Sequence, residues 1–257
     1  MSLMQQIQSG RQVRPRRLMC YGVHGVGKSS FAARAARPVF LPTEEGLAEI
    51  DCDSFPLMRS LEQVHQAIAA LIGEEHGYRT VVIDSVDWLE RLIFDAIERE
   101  FGVDYYEKAD GGFGKCYTYA AQRWRKVLEQ LDELRNRRGM WVVLLAHAKH
   151  EKFHTPEDAA YERYAPRLHK LASALIQEWC DEVFFATYDS ASKPANNKTV
   201  TPQTAQRVMK TCEGPTYVAK NRLGMPPEVE LDWRAYAWFA EQIRKPQSNK
   251  TGESSNG

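Results

Sequence analysis

The sequence predicts an α/β fold, a mostly parallel twisted sheet flanked by helices, with antiparallel strands near the C-terminus. Three observations carry this. Leu18, Met19 and Tyr21 form a short apolar run leading into Gly22-Val23-His24-Gly25-Val26-Gly27-Lys28-Ser29, and Phe31 then opens a stretch of strong helix formers. Thr80-Val81-Val82-Ile83-Asp84 is a β-branched run ending in an acid. Trp141-Val142-Val143-Leu144-Leu145-Ala146 is a third apolar run of strand length. Buried strands alternating with amphipathic helices are the pattern of a parallel sheet covered on both faces.

Taken in order, the chain opens with an arm, residues 1–16, in which Arg11, Arg14 and Arg16 precede Arg17. A solvated basic arm is the simplest reading. The ATPase-type domain is expected over residues 17–245. Gly22 to Ser29 satisfy G-x-x-x-x-G-K-[ST] between a strand and a helix, the loop whose backbone N–H groups cradle phosphates. Gly22, Val23, His24, Gly25, Val26, Gly27, Lys28, Ser29 and Ser30 are therefore the expected triphosphate-binding residues. Lys28 would reach the β- and γ-phosphates, and the Ser29 hydroxyl would ligate Mg²⁺. The following helix is expected to reach about Ala36, before Pro38.

Val39-Phe40-Leu41 reads as a second buried strand, ending in Pro42-Thr43-Glu44-Glu45. Ser60 caps a helix with Leu61, Val64, Ile68 and Leu71 on one face. Asp84, at the end of its strand, is placed to hold Mg²⁺ through water. A helix is expected over Val86–Phe101; Asp87 either N-caps it or supports Asp84. Residues 103–115 then break periodicity as a glycine-rich loop with Tyr105, Tyr106, Lys108, Phe113 and Lys115. A long helix through Arg138 follows, capped by Gly139. The Trp141 strand ends at His147. Residues 149–167 read as a second irregular segment in which Lys149, Lys152, Tyr161, Arg163, Tyr164 and Arg167 mix aromatics with cations, a composition that stacks bases and tracks phosphates. Further on come a helix over residues 168–179, a strand over 183–187, a turn-rich stretch over 190–204, and runs at 206–211 and 216–220 that read as an antiparallel pair. A helix is expected around residues 233–244. Residues 246–257 are low in complexity and read as a disordered tail.

Composition bounds the function. The 34 basic side chains balance 34 acidic ones, so no global field draws the chain to nucleic acid or membranes and any such binding rests on local patches. No apolar run approaches the ~18 residues that span a bilayer, and the expectation is a cytoplasmic protein with no membrane partner, in the host cytoplasm if phage-encoded. The five cysteines are scattered with no C-x-x-C pair, as expected of reduced thiols.

Ser85 occupies the position after the strand-end acid where D-E-type ATPases carry the water-activating glutamate. A base must then come from elsewhere, and Glu44 at the tip of the second strand is the natural candidate, with Glu45 as its neighbour. This arrangement resembles the RecA/DnaB class over residues 17–238. Phe40-Leu41-Pro42-Thr43-Glu44 is similar to the RecA second strand, whose glutamate is the catalytic base. The Trp141–His147 stretch is similar to the strand bearing a γ-phosphate sensor, which makes His147 the sensor by position. Lys220-Asn221-Arg222-Leu223-Gly224 resembles the K-N-R-x-G segment of RadA and related helicase-like ATPases. There the lysine and arginine reach the neighbouring subunit's nucleotide, which implies the same for Lys220 and Arg222. The overall likeness is to RecA-core single-strand annealing recombinases of phages. It implies ATP with Mg²⁺, single-stranded DNA bound by the two irregular segments, a homo-oligomeric ring or filament, cooperation with a single-strand DNA-binding protein, and a role in homologous recombination. Two other readings stay open: a P-loop nucleotide or small-molecule kinase, and a nucleotide-dependent phage assembly or regulatory module.

Overall fold

The computed structural model describes residues 2–10, 12–153, 161–189 and 206–242. β1 (Arg17–Gly22) lies in the middle of the sheet, pairing in parallel with β5 (Trp141–Phe153) on one side and β7 (Glu182–Tyr188) on the other. Beyond β5 come β4 (Thr80–Asp84), β2 (Pro38–Pro42) and the short β3 (Asp53–Ser54), all parallel. Beyond β7 come β8 (Arg207–Lys210) and β9 (Glu228–Glu230), both antiparallel. The order is β3-β2-β4-β5-β1-β7-β8-β9, with β6 (Tyr161–Pro166) paired to β5 outside this row. A strand thus separates the glycine-loop strand from the Asp84 strand.

Alternation explains why these strands read as unbroken apolar runs: successive side chains face opposite layers, and both layers are covered. Met19, Tyr21, Val81, Ile83 and Leu144 pack under α2 (Leu61–Gly73), α3 (Val86–Phe101), α4 (Lys115–Arg138) and α5 (Lys170–Trp179). Leu18, Cys20, Val82, Val143 and Leu145 face α1 (Lys28–Ala33) and α6 (Trp233–Gln242). Each fully buried Leu or Ile contributes roughly 1.5–3 kcal/mol, so both layers fix the register of the strand ends. Tyr21 ties the central strand to later chain: its hydroxyl accepts from the Val218 N–H (3.0 Å) and donates toward the Val218 carbonyl (2.7 Å).

The helix boundaries follow local chemistry. The Ser60 side chain accepts from the Gln63 N–H, and Gly102 and Gly139 end α3 and α4 in the left-handed conformation that suits glycine. Among the described residues no helix is long and apolar enough to cross a membrane.

Several expectations need correction. The first helix stops at Ala33 rather than about Ala36, because the residue before Pro38 is barred from helical geometry and Arg37 takes a φ of 42°. Residues 103–115 form no open loop: Tyr106–Gly111 is a 3-10 turn, Ala109 is fully buried, and the Tyr106 ring stacks 4.1 Å from Phe94. The second segment is not irregular over residues 149–153 and 161–166, which are strands, while residues 154–160 lie outside the described residues. β5 runs on past His147 to Phe153 and pairs with β6 from Ala148–Pro166 to Phe153–Tyr161. Their charged, mixed composition hides the strands because Lys149, Glu151, Lys152, Glu162 and Arg163 interrupt the apolar alternation. The 206–211 run pairs with β7 and β9, not with residues 216–220, which instead bridge at Tyr217 to Tyr164 and at Lys220 to Val183. The expected turn at 190–204 and the tail from Pro246 lie outside the described residues. The arm's end is anchored rather than solvated: Arg16 pairs with the fully buried Glu182, and Arg17 with Asp181 at 3.1 Å.

Candidate nucleotide site

Parallel register brings the ends of β1, β2 and β4 to one edge of the sheet, level with His147 inside β5. Pro42 aligns with Asp84 and Gly22 with both His147 and Ala186, so the glycine loop, Glu44, Asp84 and His147 converge there. A cleft of about 360 Å³ is lined by the loop from His24 to Ser30, by Glu44 to Leu47, and by Asp84, His147 and Arg207. Ligands of open α/β sheets bind at such strand ends.

The loop's glycines have separate reasons. Gly25 and Gly27 have φ of 74° and 100°, the left-handed region. A Cβ on Gly22 would lie 2.3 Å from the Ala186 carbonyl oxygen, so that glycine permits the close approach of β1 and β7. Lys28 is buried, which pushes its ammonium pKa down, and it donates to the Gly22 and Val23 carbonyls at 3.3 and 3.2 Å. Weak, long bonds to its own loop leave that ammonium ready to be taken by a phosphate.

Ser29 donates to the Asp84 carboxylate at 2.6 Å. Burial pushes the Asp84 pKa up, with Ser29 opposing and the Glu44 charge reinforcing. A hydroxyl and a carboxylate in contact at the mouth of a phosphate cradle form a hard-oxygen pair of the kind Mg²⁺ uses, with phosphate oxygens and water completing its shell. A divalent ion there would also relieve the cost of the buried carboxylate.

Glu44 is held rather than loose. Its Oε1 accepts from the Ser85 hydroxyl at 2.5 Å and lies 3.6 Å from His147 Nδ1, while the Thr43 hydroxyl donates to the Ser85 carbonyl at 2.6 Å. The Asp84–Ser85 peptide is cis. Glu45 lines the same cleft but is exposed. Ser85 thus orients the Glu44 carboxylate at the edge of the cleft.

The open alternative for Asp87 is decided against both readings: it neither caps α3 nor touches Asp84 but holds His147. It is buried, accepts the His147 backbone N–H at 2.9 Å, lies 3.2 Å from His147 Nδ1, and receives two N–H groups of Arg167. Burial opposes its charge, but the His147 and Arg167 hydrogen bonds overcome it and hold the carboxyl well below the usual range. Sequence reasoning missed this partner because Arg167 is 80 residues away.

Residues 14–223 match the family of AAA domains. The chain belongs to that family. A second similarity is to the SPbeta prophage-derived uncharacterized protein YorG of Bacillus subtilis (strain 168), 24% identical over 136 residues. That alignment covers 51% of this chain and 41% of the relative, so the chain spans about two fifths of the relative's length. This AAA domain is thus a P-loop nucleoside triphosphatase fold with a nucleotide site at its glycine loop.

The residues expected to meet DNA are only partly gathered. In the first segment of the AAA domain, Lys108 pairs with Asp104 (2.7 Å) and Lys115 with Asp110 (3.1 Å), while Tyr105 is partly and Phe113 fully exposed. In the second, Lys149 donates to the Leu168 carbonyl (2.7 Å), Arg163 pairs with Glu151 (2.9 Å), and the Tyr164 ring stacks on Phe185. Lys152 is exposed on the arm and pairs across the strands with Glu162, while Tyr161 pairs with Phe153. Arg167 belongs to the Asp87 cluster. Lys220 and Arg222 lie at the opposite edge of the sheet, beside the start of β7. The Lys220 ammonium donates to the Gln177, Glu178 and Cys180 carbonyls (2.9, 3.0 and 2.6 Å), capping the C-terminal end of α5. Arg222 pairs with Asp181 at 3.2 Å and is half exposed.

One turn beyond Asp87, Glu90 is buried but has no such cation. It accepts the His169 N–H at 2.8 Å through one oxygen, and the Trp124 indole faces the carboxyl. Burial pushes its pKa up to about 7. A raised carboxyl pKa favours folding below the ordinary value of about 4.5 and loses that advantage as pH rises through 7. Glu90→Gln is therefore expected to stabilise the fold by on the order of 2 kcal/mol at pH 8 and by little at pH 5. Denaturant titrations at the two pH values measure the difference.

Proposed function

We propose that this chain is an ATP-hydrolysing motor of RecA type that acts on single-stranded DNA, annealing or recombining it in a phage setting. One observation carries the reading: the carboxylate beside the glycine loop comes from the end of β2, as Glu44 locked by Ser85, rather than from the residue after Asp84. That is the arrangement the RecA resemblance implies. The prophage origin of the similar YorG protein supports the phage setting.

The chemistry follows from the positions. ATP would lie in the loop of residues 22–30, with Lys28 turning from its carbonyls to the β- and γ-phosphates. Ser29 and Asp84 would hold Mg²⁺, which supplies charge neutralisation at the phosphates when bound. Glu44 orients a water and takes its proton as the water oxygen bonds to the γ-phosphorus. The bond between that phosphorus and the β-γ bridging oxygen breaks, leaving ADP and inorganic phosphate, and Glu44 later returns the proton to solvent. His147, fixed by Asp87, hydrogen-bonds the γ-phosphate and reports its loss to the β5–β6 arm through Arg167. Arg222, half exposed, is the residue offered to a neighbouring subunit's nucleotide, whereas Lys220 serves its own chain. The arm, with Lys152, is the surface offered to DNA, and a single-strand DNA-binding protein is the partner the setting suggests.

The test is ATP turnover with and without a single-stranded oligonucleotide, with particle size followed in parallel. A several-fold rise in rate together with a larger species is the expected result. Turnover indifferent to DNA, with phosphoryl transfer to a nucleoside monophosphate by a monomer, would decide for a kinase instead.

A further inference from the structure

We propose that Arg207 is a second nucleotide-binding cation, supplied by the same chain and closing over the phosphates from the side opposite Glu44. The proposal rests on the nucleotide-site reading above and adds a residue that no motif in the sequence marks.

Three observations converge. Arg207 begins β8, and its cross-strand partner on β7 is Tyr188. Directly paired residues of antiparallel strands share a face. Both reach the glycine loop: the Tyr188 hydroxyl donates to the Gly25 carbonyl at 3.4 Å, and a guanidinium nitrogen of Arg207 lies 2.8 Å from where a Cβ on Gly27 would stand. The guanidinium is therefore seated directly on the phosphate-binding loop, and Gly27 makes room for it.

Its electrical situation is the second point. Arg207 has no hydrogen bond or ion pair to its guanidinium among the described residues, in a protein where Arg16, Arg17, Arg163, Arg167 and Arg222 all have carboxylate partners. Among the described residues, Lys28 and Arg207 are the two Lys or Arg side chains lining the cleft, together with Glu44, Glu45 and Asp84. An uncommitted guanidinium on the rim of an anion cradle lacks only the anion.

The geometry also assigns the side. Glu44 and Asp84 follow from β2 and β4 on one flank of β1, whereas Arg207 sits over Gly27 on the flank that carries β7. A forked donor there matches two oxygens of the phosphate chain, which an ammonium cannot do.

The experiment uses the full chain and a fluorescent ADP analogue, alongside melting with and without ADP. Arg207→Ala is expected to weaken binding about tenfold and to lose most of the ADP-induced rise in melting temperature, with the nucleotide-free melting temperature unchanged. Arg207→Lys should recover part of the affinity. Affinity within twofold of wild type in Arg207→Ala would overturn the proposal. So would a fall in nucleotide-free melting temperature in both variants, since the residue would then be structural. Lys28→Ala separates the two levels of inference. If it loses binding while Arg207→Ala keeps it, only Arg207 falls; if Lys28→Ala binds normally, the nucleotide-site reading itself fails.

Discussion

Glu44→Gln is expected to lower ATP turnover by roughly 10²–10⁴-fold while leaving nucleotide affinity within a few-fold of wild type. The amide oxygen of glutamine can still accept from the Ser85 hydroxyl, which approaches Glu44 at 2.5 Å, so the side chain keeps its place. It cannot take a proton, and that is the property removed. Lys28→Ala should act at the other stage. Removing the buried ammonium deprives the phosphates of the charge they bind, so affinity and turnover fall together. Measuring single-turnover hydrolysis and equilibrium binding for both variants distinguishes the stages. Near-normal turnover in Glu44→Gln, with loss in Glu45→Gln, would transfer the role of base to the exposed neighbour.

Asp87→Asn should be costly in two ways at once. The carboxylate holds the His147 backbone and ring and pairs with Arg167, and the neutral amide removes the charge that Arg167 meets. Because the Arg167 side chain is 43% exposed, water recovers part of the loss, and about 1–3 kcal/mol of stability is at stake rather than the larger cost of a sealed pair. Misplacing His147 beside Glu44 should also cut turnover roughly tenfold to a hundredfold. The pH dependence identifies the cause. A carboxyl held below its usual pKa contributes stability that is present above the ordinary value near 4 and is lost only as pH falls through the depressed one. The gap between wild type and Asp87→Asn should therefore be constant from pH 5 to 8 and shrink in acid. A merely steric defect would show no such acid convergence.

These two variants also mark how far the sequence could be read. Elimination points to Glu44, since Ser85 leaves the usual position without a carboxylate, and the structure places Glu44 in the cleft. The role of Ser85 in holding Glu44 depends on two strand ends meeting across β2 and β4, which no local pattern records. Asp87 reads from sequence as a helix cap or a support for Asp84, because its position suits either. Its real partners come from β5 and the end of β6. The β5–β6 arm escapes the sequence reading because it carries charges on both faces, so the period-2 apolar signal disappears. The reverse error arose at residues 103–115: glycines, lysines and tyrosines suggested an open loop, yet Tyr106 and Ala109 pack against α3 and α4.

The sequence by itself determined the parallel sheet, its buried strands and helices, and the phosphate loop with Lys28, Ser29 and Asp84. Those features are written in short-range patterns: apolar periodicity, glycine at left-handed positions, an acid at a strand end. Only the tertiary structure decided what surrounds the loop. It set His147 between Glu44 and Asp87, turned Lys220 inward as a helix cap, and laid Arg207 over Gly27. Each of these depends on strand order and register, which are fixed by the packing of both helical layers rather than by any neighbour in the chain.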